Sequence, residues 1–168
     1  MICRIADLIV SVPEAGGMPP RCREYIADHT GTVDIDISVD QYEPERWPGL
    51  SYDHMCYMES GELFYINLLH FGGMMLHSSA VEYQGKAYLF SGPCGVGKST
   101  HTRLWQQVFG PEVRVFNDDK PALRFIDGRW YAFGTPWSGK HGINENLETY
   151  CLPGAVDYYK TIVKLQEC

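Results

Sequence analysis

The stretch that decides the fold is Gly92-Pro93-Cys94-Gly95-Val96-Gly97-Lys98-Ser99-Thr100, which matches the phosphate-loop pattern G-x-x-x-x-G-K-[ST] at every fixed position. Glycine adopts positive φ without a steric penalty, so Gly92, Gly95 and Gly97 are predicted to let the backbone curl around an anion. The N–H groups of such a loop form a concave anion site, and Lys98 adds a positive charge. The stretch therefore predicts a site for the phosphates of a nucleotide.

The side chains of this stretch predict ATP and Mg²⁺ as its ligands. Lys98 is expected to reach the β- and γ-phosphates, and the Ser99 hydroxyl is expected to hold Mg²⁺. Val96 and Thr100 complete the predicted nucleotide contacts. A helix that begins here would add the positive end of its dipole to the site.

The flanking residues fit a phosphate loop, which follows a strand and opens a helix. Residues 86–91 are short, apolar and aromatic, as in a buried strand. Residues 99–109 carry apolar side chains at helical spacing, and Gly110-Pro111 is predicted to end that helix. A glycine-rich turn with an incidental lysine is the alternative interpretation.

Length and composition favour a single globular domain that spans residues 1–168. The chain is 45% apolar and 21% charged, which is typical of a folded protein. A net charge of −7, without a lysine- or arginine-rich run, argues against nucleic acid as a partner. No window approaches the ~20 apolar residues of a membrane span, so no membrane association is expected.

The cysteines and the N-terminal residues favour a cytoplasmic protein. The six cysteines contain no C-x-x-C motif and no zinc-type spacing with histidine, so they are predicted to be reduced thiols. The apolar run at residues 8–10 is too short for a signal peptide, and acidic residues stand on both sides of it.

Alternating apolar and polar residues predict strands, and turn-forming pairs predict their connections. Gln84-Gly85 and Asp127-Gly128 are each predicted to close a tight hairpin. Residues 60–71 are predicted to form a helix with Ser60 as its N-cap and Gly72-Gly73 after its end. The predicted strands are residues 33–40, 74–83, 86–91, 113–116, 123–126 and 129–133. Because most of them are joined by hairpins, we expect an α/β domain with a mixed, largely antiparallel sheet around one phosphate loop.

The other half of the site is predicted from polar residues outside the loop. Asp118 and Asp119 follow a predicted strand, and one carboxylate could hold Mg²⁺ while the other accepts a proton from an attacking hydroxyl. His77 heads the strand that is expected to lie beside the loop. Lys140 lies in a second glycine-rich loop, residues 134–142, which could bind a phosphate or close over the nucleotide. A packed or solvated side chain is the alternative for His77 and for Lys140.

These residues, in this order, resemble the core of HPr kinase/phosphorylase. The resemblance lies in His77-Ser78-Ser79-Ala80-Val81, the phosphate loop, residues 117–123 and residues 134–140. It extends over residues 57–146 and is strongest to the small HPr-kinase-like proteins of bacteria. That family shares a fold with ATP-type phosphoenolpyruvate carboxykinases, so the resemblance implies the same fold here.

The resemblance implies a kinase that transfers the γ-phosphate of ATP to a hydroxyl, with serine of a peptide or small protein as the expected acceptor. Lys98 and Ser99 would serve the triphosphate and Mg²⁺. Asp118 would be the base toward the acceptor, Asp119 would share the metal, and His77 would lie near the transferred phosphate. Catalysis would then depend on positioning and charge neutralisation.

The chain departs from the family in two places. The family's functional arginine after the Asp pair has no counterpart, because residues 137–140 offer Lys140 and no arginine. Residues 147–168 do not resemble the family's continuation and are expected to be a divergent or truncated tail. Two alternatives stay open: a non-catalytic nucleotide-binding module and a small-molecule kinase. Residues 1–56 have no predicted role, and association into a homo-oligomer is left open.

Overall fold

The computed structural model describes residues 1–37, 45 and 47–158, with the backbone alone for residues 141 and 152–158. Within these residues the chain forms one seven-stranded sheet, one three-stranded sheet and three α-helices. The helices are α1 (Met18–Cys22), α2 (Tyr52–Leu68) and α3 (Lys98–Phe109). The strands are β1 (Ile2–Ile5), β2 (Leu8–Ser11), β3 (Ile35–Asp36), β4 (Gly73–Met75), β5 (Ser78–Tyr83), β6 (Lys86–Ser91), β7 (Val113–Asn117), β8 (Ala122–Ile126), β9 (Arg129–Phe133) and β10 (Glu148–Tyr158).

The large sheet has the strand order β4-β8-β9-β10-β6-β5-β7. The pair β10–β6 is parallel, and the other neighbouring strands are antiparallel. This confirms the predicted α/β architecture with a mixed, largely antiparallel sheet. Helix α3 packs against β5, β6 and β7, and α2 reaches β4.

Both predicted hairpins are present. Gln84 and Gly85 connect β5 to β6 with φ values of 52° and 73°, and Asp127 and Gly128 connect β8 to β9 with 49° and 79°. Two successive positive φ values define the two-residue turn whose twist matches that of the flanking strands.

The prediction of one continuous strand over residues 74–83 is wrong, because the structure has two separate strands there, β4 and β5. β4 pairs with β8, whereas β5 pairs with β6 and β7. Leu76 and His77 lie between them, where the chain passes from one half of the sheet to the other. His77 therefore lies immediately before the first residue of β5 and not within a strand.

The helix predicted from Ser60 begins earlier, at Tyr52, with Ser51 as its N-cap. The Ser51 hydroxyl accepts a hydrogen bond from the His54 amide at 3.3 Å. Ser60 is buried inside the helix and its hydroxyl accepts from Trp137 Nε1 at 3.2 Å. The next residue is glycine because a Cβ at position 61 would lie 2.9 Å from the Trp137 ring. The Ser-Gly pair marks a packing contact and not a helix start.

Strand β10 falls within the region that the sequence analysis treated as a tail. It lies between β9 and β6, with Cys151 opposite both Trp130 and Ala87. β10 is therefore the central strand of the sheet and joins its two halves. Residues 159–168 lie outside the described residues.

The N-terminal residues pack against the large sheet. β1 and β2 are antiparallel, and β3 pairs with β2 in parallel. The strand predicted over residues 33–40 is confirmed only at Ile35–Asp36, and residues 38–40 lie outside the described residues. Phe64 and Leu68 of α2, with Ala122 and Phe133 of the large sheet, share one buried cluster with these strands. No helix in the described part of the chain is long and apolar enough to cross a membrane.

Candidate functional site

The candidate site lies where three strands end or begin. β5 is antiparallel to β6 and β7, so its first residues lie beside the last residues of both neighbours. Ser78 pairs with Ser91, which places His77 opposite Gly92 at the start of the glycine-rich loop. The Ser91 hydroxyl donates to the His77 carbonyl at 3.0 Å. Asp118 directly follows β7 at the same edge.

The glycine-rich loop connects β6 to α3, which confirms the predicted order of strand, loop and helix. Gly95 and Gly97 have φ values of 79° and 101°, and Gly97 is the N-cap of α3. Nothing lies within 4 Å of a Cβ built on either residue, so the backbone conformation and not space requires glycine there. Gly92 does not have positive φ, contrary to the prediction. The Val96 amide donates to the Pro93 carbonyl at 3.3 Å and closes a turn within the loop.

Lys98 is folded back onto this loop. Its side-chain ammonium donates to the carbonyls of Gly92 and Pro93 at 2.9 Å and 3.3 Å, and the residue is 8% exposed. Ser99 is half-buried and Thr100 is exposed on the first turn of α3. The loop thus carries a buried positive charge next to a helix N-terminus, which is an arrangement that attracts phosphate.

Asp118 is linked through two hydroxyls to the first turn of α3. The Ser79 hydroxyl donates to Asp118 Oδ1 at 2.7 Å and lies 2.9 Å from Thr102 Oγ1. Thr102 Oγ1 also lies 3.1 Å from the Ser99 carbonyl. The Thr102 hydroxyl donates to that carbonyl and the Ser79 hydroxyl donates to Asp118, so each hydroxyl proton is directed to an oxygen outside the contact between the two hydroxyls. Ser79 and Thr102 are fully buried. Ser79 belongs to one of the motifs that resemble HPr kinase, but neither residue was predicted to have a role in the site.

Asp119 faces a different set of groups. Its Oδ1 lies 3.2 Å from Nε2 of the half-exposed His77, and its Oδ2 is bonded to the Lys120 ammonium. Burial alone would lower the pKa of Lys120, but the Asp119 carboxylate and the Tyr57 hydroxyl raise it above its ordinary value. Lys120 therefore keeps its charge and balances that of Asp119.

Asn117 holds the turn that presents the two aspartates. Its Oδ1 accepts from the amides of Asp119 and Lys120 at 3.0 Å and 2.8 Å. Its Nδ2 donates to the carbonyl and the hydroxyl of Thr135, both at 3.1 Å. Asn117 is fully buried, so its amide group is committed to this turn. Such an Asx turn fixes the direction of the side chains that follow.

The second glycine-rich loop lies against Asp119. A Cβ on Gly139, whose φ is 71°, would lie 2.9 Å from the Cβ of Asp119. The loop is also bound by two residues that the sequence analysis did not single out, Arg21 and Tyr57. Lys140 is exposed on this loop, and the structure does not bring it to the aspartates within the described residues.

A magnesium ion would have few protein ligands here. The described residues contain no group of three or more His, Cys, Asp or Glu side chains that could hold a metal. Ser99 and the two aspartates supply oxygen atoms, the ligand type that Mg²⁺ prefers. Magnesium usually keeps several waters and takes one or two carboxylates together with phosphate oxygens. The donor set therefore fits a metal that arrives with a nucleotide.

No family model matches this chain. No curated protein matches it either. The resemblance to HPr kinase thus stays an inference from motifs, and the function is argued from the geometry of the site.

Proposed function

We propose that this protein is an ATP- and Mg²⁺-dependent kinase that transfers the γ-phosphate to a hydroxyl, with serine of a peptide or small protein as acceptor. The observation that carries the proposal is the meeting of the glycine-rich loop, His77 and the Asp pair at one sheet edge. A phosphate site, a candidate metal site and a candidate base are the parts that phosphoryl transfer requires.

The contacts favour a division of roles opposite to the one implied by the resemblance. Asp118 is tied through Ser79 to the turn that carries Ser99, so Asp118 and Ser99 would hold Mg²⁺. Asp119 contacts His77, so this pair would face the acceptor. Magnesium, when bound, neutralises charge on the phosphate oxygens.

The reaction would proceed as an in-line displacement. The acceptor oxygen forms a bond to the γ-phosphorus while the bond from that phosphorus to the bridging oxygen breaks, and ADP leaves. The acceptor proton passes to the His77–Asp119 pair. Lys98 would move from the loop carbonyls to the phosphates of the nucleotide.

The first test is phosphate transfer itself. The protein is incubated with Mg²⁺ and γ-labelled ATP, alone and with a lysate of its host, and labelled products are identified. Lys98→Ala should lower turnover by about 100-fold, because one charge aimed at the transferred phosphate is lost. Arg103→Ala is the matched control, since Arg103 is an exposed cation on the same helix. Equal turnover in both variants would contradict the proposal.

The division of roles has its own test. Asp118→Asn should raise the Mg²⁺ concentration needed for half-maximal turnover, because a metal ligand loses its charge. Asp119→Asn should lower kcat by about 100-fold and leave the Mg²⁺ requirement unchanged. Asp28→Asn serves as the control, since Asp28 is exposed. A raised Mg²⁺ requirement in Asp119→Asn alone would contradict this division. It would favour the roles implied by the resemblance, in which Asp119 shares the metal and Asp118 is the base.

One contact favours a second candidate, a nucleotide-binding module without catalysis. Lys120 is bonded to Asp119 Oδ2, so one oxygen of the candidate base is already occupied. On this alternative the protein binds Mg·ATP tightly, and binding changes a partner surface. Calorimetry that shows Mg·ATP binding, together with no labelled product in any lysate, would favour it.

A further inference from the structure

The backbone of Gly139 is hydrogen-bonded through both its amide and its carbonyl by the N-terminal part of the chain. The Gly139 amide donates to the Tyr57 hydroxyl at 3.0 Å. The Gly139 carbonyl accepts from the Arg21 guanidinium at 3.1 Å. Tyr57 belongs to α2 and Arg21 to α1, so two helices hold one loop residue.

The two residues are also packed on each other. The Arg21 guanidinium carbon lies 4.6 Å from the centroid of the Tyr57 ring, a cation–π distance. Arg21 reaches Ser138 Oγ at 3.5 Å, and its own carbonyl accepts from Asn144 Nδ2 at 3.2 Å. The last turn of α1 and the loop are therefore joined at several points.

This arrangement determines where Asp119 can lie. Gly139 is pressed so closely against Asp119 that a Cβ would meet the Cβ, Cγ and Oδ2 atoms of the aspartate at 2.9–3.2 Å. On its other side the Asp119 carboxylate meets His77 and Lys120. The Lys120 ammonium lies 5.3 Å from the Tyr57 ring centroid, so Tyr57 borders this charge pair too.

We infer that Arg21 and Tyr57 are positioning residues, which clamp the backbone of Gly139 and thereby hold Asp119 against His77. The role in catalysis rests on the proposed kinase function, whereas the clamp itself does not. Arg21 thereby connects the N-terminal residues to the site, because its guanidinium donates to the Gly139 carbonyl.

The clamp is tested by amide hydrogen exchange in the full chain. Tyr57→Phe removes the acceptor of the Gly139 amide and should speed its exchange about fivefold, as expected for one lost hydrogen bond. Arg21→Ala should speed exchange across residues 138–142. Arg23→Ala is the control, because Arg23 is an exposed cation two residues away. Unchanged exchange at Gly139 in Tyr57→Phe would overturn the clamp.

The positioning role is tested by kinetics. Arg21→Ala and Tyr57→Phe should lower kcat by about 10- to 100-fold with the KM for ATP unchanged, because only the acceptor side is displaced. Arg21→Lys, which keeps the charge and one donor, should recover part of the loss. Faster exchange with an unchanged kcat would overturn the positioning role. If the parent protein transfers no phosphate, the proposed function and the positioning role both fail, and exchange alone decides the clamp.

Discussion

Asp119 is held on every side. Its amide is bound by Asn117, its carboxylate meets His77 and Lys120, and its Cβ faces Gly139. A side chain with so many constraints keeps one rotamer, which suits a group that must be in place before its substrate arrives. The site is therefore most sensitive to changes that displace Asp119.

Gly139→Ala should destabilise the protein by about 2–4 kcal/mol, because alanine at positive φ is strained and its Cβ would overlap Asp119. Gly85→Ala is the matched control, since Gly85 has a φ of 73° and open space around its Cβ. That control should lose only about 1 kcal/mol, the cost of the backbone conformation. Chemical denaturation measures the free energy of unfolding of both variants. Equal losses would contradict the prediction, because the contact with Asp119 would then add nothing to the cost of the backbone conformation.

Some residues of the site could be predicted from sequence and others could not. The glycine-rich loop and Asp118-Asp119 could be predicted because their residue types and spacing alone indicate a phosphate site and a carboxylate pair. Ser79 and Arg21 acquire a role only through partners 39 and 118 residues away in the chain. Long-range hydrogen bonds leave no periodic signal, so single-sequence reasoning could not find them.

Strand β5 links the glycine-rich loop to the turn that carries Asp118. Its first residues touch the loop after β6 and the turn after β7, and its Ser79 connects Asp118 to α3. A rigid strand is a more accurate support for such groups than a loop.

Ser79→Ala should raise the Mg²⁺ concentration for half-maximal turnover about tenfold, because Asp118 loses the hydrogen bond that orients it. Ser78→Ala is the control, since the Ser78 hydroxyl is also buried but donates to the Leu76 carbonyl. Turnover is measured as a function of Mg²⁺, and thermal unfolding checks that both variants fold. The same Mg²⁺ requirement in both variants would contradict the role of Ser79.

Elements with local signals were predicted well. Each hairpin is determined by two turn residues, so Gln84-Gly85 and Asp127-Gly128 were sufficient. The predicted start of α2 was wrong because a serine followed by glycine is also typical of a helix start. Here the two residues instead accommodate Trp137, which donates to the Ser60 hydroxyl and packs against Gly61. β10 was missed because its parallel partner β6 is distant in sequence: Cys151 pairs with Ala87. No short turn connects these two strands, so no turn motif could predict their pairing.

At the scale of the whole molecule, several buried groups keep their protons. Burial raises the pKa of Cys151 to about 12 and raises those of Tyr25 and Tyr65 above the ordinary tyrosine value. The unfolded chain would lose these protons at lower pH. Since the folded state then binds more protons, the free energy of unfolding falls as pH rises.

The free energy of unfolding should therefore decrease above about pH 9, by roughly 1.4 kcal/mol per pH unit for each group that ionises only on unfolding. Cys151→Ala should make the decline between pH 9 and 11 less steep. Cys94→Ala, which alters an exposed cysteine, should leave the slope unchanged. Urea unfolding at several pH values measures the slope, and identical slopes in both variants would refute the assignment to Cys151.

The position of β10 has a consequence for the order in which the protein is assembled. Without residues 148–158, the half that carries the glycine-rich loop and the half that ends in β9 share no backbone pairing in the described residues. A nascent chain must therefore expose both half-sheets until this late segment leaves the ribosome. Stalled chains that end before residue 148 should be substrates for chaperones, because the central strand that joins the two half-sheets has not yet been made.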